Sequence, residues 1–162
     1  MTTAHELVAA ARSYLGVRFA HQGRSDAGLD CLGLLLLSAE KAGLRFGGLS
    51  ALALDVPHYG TRPDSVLLGS KLGDYLVAVH VAQPGDILLL AIDGRPQHLA
   101  LVSDYPAKGM LGMIHAYAAT RKVVEHAYDA HWQAATRQIF RLPQLETKAG
   151  LHADEIIEFA GA

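Results

Sequence analysis

The chain has a single cysteine among its 162 residues, so no disulfide can form within it and the fold must rest on its core. Charge is scarce as well: 19% of the residues are charged, with a formal net charge of −2. That balance gives no electrostatic reason to expect nucleic acid or an anionic membrane as a partner. No uninterrupted apolar run reaches bilayer length, so no membrane span is expected. The start, Met1-Thr2-Thr3-Ala4-His5-Glu6, has neither the basic region nor the apolar region of a signal peptide. His-Glu-x-x-His and Cys-x-x-Cys spacings are absent, and His5, His21, His58, His80, His126, His131 and His152 are scattered. Neither a metal site nor a cofactor is therefore expected. Gly28 and Gly33 lack the lysine and hydroxyl that a phosphate loop requires. There is no internal repeat and no low-complexity segment.

What remains is a chain of ordinary domain length, 51% hydrophobic, able to bury a core. Thr3 or Thr2 caps a first helix to about Leu15, with Ala4, Leu7, Val8, Ala11 and Leu15 as its apolar stripe and Gly16 as its stop. Residues 17–29 read as a loop. A second helix runs from near Cys31 to Lys41 or Ala42, and Leu34 to Leu37 make it apolar on nearly every side. Such a helix belongs at the centre of the core. Residues 45–60 are glycine-rich and irregular, and Pro63-Asp64 opens a third helical stretch over about 64–79.

From Gln83 the period changes. Pro84-Gly85-Asp86 is a turn, Ile87 to Ile92 a buried strand, Asp93-Gly94 a hairpin turn, and Gln97 to Ser103 the next strand. Met110 to Tyr117, Lys122 to Tyr128 and Gln138 to Leu142 read as further strands. Residues 144–162 read as a short helical tail beyond a domain of residues 1–143. Helices first and strands after describe an α+β domain.

By itself, a lone cysteine beside a leucine run reads as inert core. The flanking residues of Cys31 shift that reading. Asp30 can cap the helix, while Gly28 and Gly33 allow sharp turns and close approach. A thiol in the first helical turn meets unpaired N–H groups and the positive end of the helix dipole, and both favour the nucleophilic thiolate. His98 and His115 sit in strand-like segments. A cysteine at a helix start and two strand histidines are the parts a papain-like hydrolase uses: nucleophile, base, and a group that orients the base. Arg18, Arg24 and Arg121 read as solvated charges.

Phe19-Ala20-His21-Gln22-Gly23-Arg24, followed by Gly28-Leu29-Asp30-Cys31-Leu32-Gly33-Leu34, resembles the cysteine motif of NlpC-type papain-like peptidases. Pro84-Gly85-Asp86-Ile87-Leu88 looks like the turn and strand before that family's histidine strand. Gln97-His98-Leu99-Ala100-Leu101-Val102 resembles its base motif, and Ile114-His115-Ala116-Tyr117 its third catalytic position. Arg137 to Pro143 is similar to the family's final strand, so the resemblance spans about residues 5–143. The His21-Gln22-Gly23-Arg24 variant and Tyr59…Pro63-Asp64 look like the branch found with phage tails and gene-transfer agents.

The resemblance implies N-terminal helices, with the catalytic cysteine at a helix start, packed on a C-terminal antiparallel sheet. It implies hydrolysis of peptidoglycan stem peptides at a D-glutamyl–diamino acid amide bond. Cys31 would be the nucleophile, His98 the base and His115 its orienting partner, with the Cys31 backbone N–H in the oxyanion hole. Asp30 would help bind the substrate's free amine, and Phe19 would line the cleft. By its place in the loop before Cys31, His21 is a further candidate for the cleft, with packing of that loop as the alternative. Phage-like tail proteins would be partners, and the chain would stay cytoplasmic until carried on a particle to the cell wall. Two positions depart from the pattern: Leu32 stands where serine is common and Phe19 where tyrosine is common. Both imply altered recognition or weaker activity. Two rival readings follow, a structural tail-tip protein without useful activity, and an amidase or acyltransferase acting on a lipid or small amide.

Overall fold

Thr3 opens the first helix, α1 (Ala4–Arg12), through a reciprocal cap: Glu6 N–H donates to the Thr3 hydroxyl, and Thr3 N–H donates to the Glu6 carboxylate. The computed structural model describes residues 2–55, 73–105 and 109–145. After α1 come a short hairpin, β1 (Arg24–Ser25) and β2 (Gly28–Leu29), and then α2 (Cys31–Lys41). A second hairpin, β3 (Arg45–Phe46) and β4 (Leu49–Ser50), leads into a 3-10 turn at Ala51–Leu54. The rest is mostly sheet: β5 (Val77–Val79), β6 (Ile87–Ile92), β7 (Arg95–Ser103), β8 (Gly112–Tyr117), β9 (Lys122–Ala127) and β10 (Thr136–Arg141). A short helix, α3 (Ala130–Ala135), stands between the last two strands. The six strands form one antiparallel sheet in the order β5-β10-β6-β7-β8-β9.

The unbroken apolar run of β6 is explained by cover on both faces of the sheet. Ile87, Leu89, Leu99, Leu101 and Ile114 join Leu7, Val8, Leu34 and Leu35 of the two long helices in the main core. Leu88, Leu90, Ala100, Val102 and Met113 face the other way, against Tyr128 with Trp132 and Ala135 of α3. Side chains alternate across a strand, so a strand covered twice must be apolar at every position. Asp93 and Gly94 both take left-handed backbone angles, φ 52° and 77°, as the two-residue turn between β6 and β7 requires. At the other end of β6, Asp86 is held by the Arg141 guanidinium at 2.7 and 2.8 Å, a buried pair that ties β10 to the Pro84-Gly85-Asp86 turn.

Helices before strands is the α+β order expected, but several boundaries differ. Val77–Val79, expected as the end of a helix over 64–79, is an edge strand paired with Ile139 to Arg141 of β10. Its Val-Ala-Val pattern suits a half-buried strand, and the available sheet edge decides between the two periods. Residues 73–75 are helical; the rest of that expected helix, Tyr59…Pro63-Asp64 and the tail from 146 onward lie outside the described residues. The first helix stops at Arg12 and passes through a turn to Gly16, which has φ 85°. The loop expected over 17–29 contains the β1–β2 hairpin, and 45–50 contains the β3–β4 hairpin. No helix of the described residues is long and apolar enough to cross a membrane.

Candidate active site

Asp30 is the cap of α2 and the hub of the loop before it. One carboxylate oxygen accepts the Gly33 N–H at 2.8 Å and the Arg24 guanidinium at 2.9 Å. The other accepts the Gln22 N–H at 2.9 Å. Arg24 also grips Asp55 through two bonds of 2.8 and 2.9 Å. Expected as a solvated charge, Arg24 is instead a partly buried bridge between the loop, the helix start and the residue after the 3-10 turn. Glycine makes this closeness possible. A Cβ on Gly33 would strike the Gly23 carbonyl, and one on Gly23 would strike the Gly28 carbonyl.

Cys31 is thereby presented as the first residue of α2. Burial pushes its thiol up to about 11, and the neighbouring Asp30 charge adds to that; the backbone N–H groups of Leu99, Leu32 and Cys31 itself pull the other way. The helix start acts in the direction expected, and burial outweighs it. The Leu99 N–H also locates the sulfur. It belongs to the peptide that joins His98 to Leu99, so the thiol lies against the strand that carries His98. The β7–β8 ladder runs only from Leu101↔Ile114 to Ser103↔Gly112, so Leu99 lies beyond its end.

Two further residues complete a line of rings. His98 Nε2 is 2.6 Å from His115 Nδ1, His115 Nε2 is 2.8 Å from His126 Nε2, and His126 Nδ1 is 2.9 Å from the Ala127 carbonyl oxygen. His115 is fully buried and His98 nearly so. Tyr117 stacks on His115 with ring centroids 5.0 Å apart, and Trp132 meets it edge-on at 5.2 Å. Burial pulls His98 down to about 4. It pulls His115 down to about 2, with the adjacent His98 and His126 adding to the effect. The resting state favoured here is a neutral thiol beside neutral imidazoles.

The structure therefore brings Cys31, His98 and His115 into one region, with Asp30 next to the thiol in sequence and under it in the cap. Phe19 is half-buried, packs on the main core and bridges in parallel to Leu29; His21 is exposed in the turn before Gly23. Leu32 is half-buried against the same core. Sequence reasoning passed over His126, counted among the scattered histidines, and Trp132, on a helix it did not foresee. The available signal was register: the short turn at Ala118–Arg121 pairs Met113 with His126, which puts His126 on the face that carries His115. Among the described residues, no group of three or more His, Cys, Asp and Glu is placed to hold a metal ion.

The NlpC/P60 family model matches residues 16–141, which include the capped cysteine and all three histidines of the line. The chain belongs to the NlpC/P60 family. Solved NlpC/P60 structures share its α+β fold. The NlpC/p60 domain of the peptidoglycan hydrolase SagA aligns with a TM-score of 0.54 at 20% identity, over 86% of this chain and 99% of that one. An NlpC/P60 family protein from Bacillus cereus aligns with a TM-score of 0.60 at 25% identity, over 88% of this chain. A protein similar to lipoproteins of the NLP/P60 family, from Staphylococcus aureus, aligns with a TM-score of 0.55 at 18% identity, over 86% of this chain. This chain spans 41% of each of the last two proteins. A search of curated proteins finds no match.

Proposed function

We propose that this NlpC/P60 protein is a cysteine peptidase that hydrolyses peptidoglycan stem peptides at a D-glutamyl–diamino acid amide bond. The observation that carries the reading is the Cys31 sulfur against the His98–Leu99 peptide, with His98 Nε2 2.6 Å from His115 Nδ1. Cys31 is the nucleophile, His98 the general base and His115 the ring that orients it. Burial disfavours charge on either partner, so the thiol proton passes to His98 as the sulfur attacks the amide carbonyl rather than in a standing ion pair. The oxyanion is met by the Cys31 N–H at the start of α2. His98 then protonates the leaving amine, and water attacks the thioester with His98 again as base.

Asp30 has its oxygens engaged by two backbone N–H groups and Arg24. It serves the substrate's amine through its charge and through the loop it holds, which carries Phe19 and His21. The wall substrate is supported by SagA, a peptidoglycan hydrolase of the same fold. Delivery on a phage-like particle is supported by the His21-Gln22-Gly23-Arg24 stretch, and detection of the chain in purified particles tests it.

Mass spectrometry of peptidoglycan fragments incubated with the protein and with Cys31→Ala is the direct test of the activity. New D-glutamyl and diaminopimelyl termini from the unaltered protein alone are the expected result. No cleavage across several wall chemistries, with the protein folded and its thiol reduced, overturns the reading in favour of a structural tail-tip component. A second reading has one observation in its favour. An apolar cavity of about 320 Å³ lies between α2 and the sheet, lined by Leu32, Leu35, Leu99 and Leu101 among others. It suits an amide with an apolar tail, and acyl transfer from such an amide to Cys31 would register as a mass increase of the intact protein.

A further inference from the structure

The ring line ends on a carbonyl, and a carbonyl only accepts hydrogen bonds. The Ala127 oxygen at 2.9 Å therefore takes the Nδ1 proton of His126. An imidazole with a single N–H that gives it to Ala127 has its other nitrogen bare, and with that tautomer Nε2 of His126 accepts from His115 Nε2–H at 2.8 Å. By the same rule, Nδ1 of His115 is bare and accepts from His98 Nε2–H at 2.6 Å. That leaves Nδ1 of His98 with a free lone pair. For His98 and His115 the neutral ring follows from where they sit: His115 is fully buried, His98 nearly so, and Tyr117 and Trp132 close over them.

We propose that His126 is a positioning residue: held by the Ala127 carbonyl, it sets the direction of both ring-to-ring hydrogen bonds and so keeps His98 in the tautomer that can take the thiol proton. The proposal rests on the reading of Cys31 and His98 given above. A carboxylate behind a catalytic histidine imposes the tautomer by its charge and its lack of a proton. Two neutral imidazoles impose nothing, because the proton between His98 and His115 is equally well placed in either direction. Run backwards, the series would put a proton on His98 Nδ1 and leave the thiol no base. The fixed acceptor at the far end removes that degeneracy, and His126 is the ring of the line that meets it.

The test is nitrogen-15 NMR of the imidazoles at pH 7.5 in the unaltered protein, His126→Gln and His126→Leu, with the alkylation rate of Cys31 by iodoacetamide measured in parallel. The expected tautomers are Nε2–H at His98 and His115 and Nδ1–H at His126. In His126→Leu, both tautomers appear at His98 and His115, and alkylation slows about tenfold, the scale of losing an orienting partner. Glutamine offers a carbonyl oxygen to His115 and an amide N–H to Ala127, so His126→Gln restores the single tautomer and most of the rate. A proton on Nδ1 of His98 in the unaltered protein overturns the proposal, as does a leucine variant with unchanged tautomers. If the leucine variant does not fold, the unaltered protein and the glutamine variant decide. Both readouts are taken without substrate, so a protein that cleaves no peptidoglycan refutes the peptidase reading while the tautomers still judge the role of His126.

Discussion

The two sides of the site hold their reactive groups by different means. The cysteine side is local: cap, loop and nucleophile all fall between Gln22 and Gly33, and Asp30 reaches its partners across eight residues or fewer. It is polar, and an ion bridge and backbone N–H groups hold it. The histidine side is assembled from four elements, β7, β8, β9 and α3, and aromatic faces and buried rings hold it. A capped helix start keeps its geometry whatever its neighbours do. A line of imidazoles keeps its geometry only while the strands stay in register.

The largest expected effect joins the two sides. Cys31→Ala and His98→Ala should each lower peptidoglycan cleavage at least about a thousandfold, and the double variant should be no worse than either, because members of one catalytic unit are not additive. Turnover rates from fragment mass spectrometry check this. Additive losses would mean that the two residues do not act together.

Next comes pH, which should separate the two sides by sign. His98 is held down at about 4 against its ordinary 6.5, so between those values the unfolded chain binds the extra proton. Stability is complete above 6.5 and falls as pH drops towards 4, by on the order of 3 kcal/mol from this group. Cys31 is held up at about 11 against 9.0, so its contribution is complete below 9 and is lost as pH rises towards 11. Urea unfolding across the acid and alkaline limbs measures both. His98→Gln should make the acid limb shallower and leave the alkaline limb as it is, with buried His115 still contributing on the acid side, and Cys31→Ala should flatten the alkaline limb.

Smaller effects probe each side separately. Gly33→Ala forces its new methyl onto the Gly23 carbonyl and should cost about 2 kcal/mol in urea unfolding, because backbone must move to relieve it. The tautomers of the histidine line should be unchanged in that variant. Trp132→Leu removes the edge contact to His115 from a half-buried position and should cost about 1 kcal/mol. Its signature is on the other side, in broadened imidazole signals with the α2 cap intact.

The local side was largely legible in the chain. Asp30 before Cys31, with glycines at 28 and 33, pointed to a capped helix start, and the cap bonds are as that pattern requires. What it could not show was the partner of Arg24, since Asp55 lies across a 3-10 turn from a segment read as irregular. Of the sheet, β6 and β7 were clear from their apolar runs and the Asp93-Gly94 turn. Val77–Val79 was misread because three residues at a helix boundary carry too little periodicity to declare a strand, and only β10 supplies the edge that makes them one. α3 escaped notice because its six residues are covered from one side only.

The sequence by itself determined the helix start under the cysteine, the hairpin at Asp93-Gly94 and the α+β order, since each depends on neighbours in the chain. Only the tertiary structure decided which histidines meet. Side chains on different strands come together through pairing register, and a shift of one residue would turn His126 to the other face of the sheet. Burial, too, belongs to the assembled molecule. It is the largest cause that moves the thiol up and the imidazoles down, because a charge loses its water only when the whole fold has closed around it.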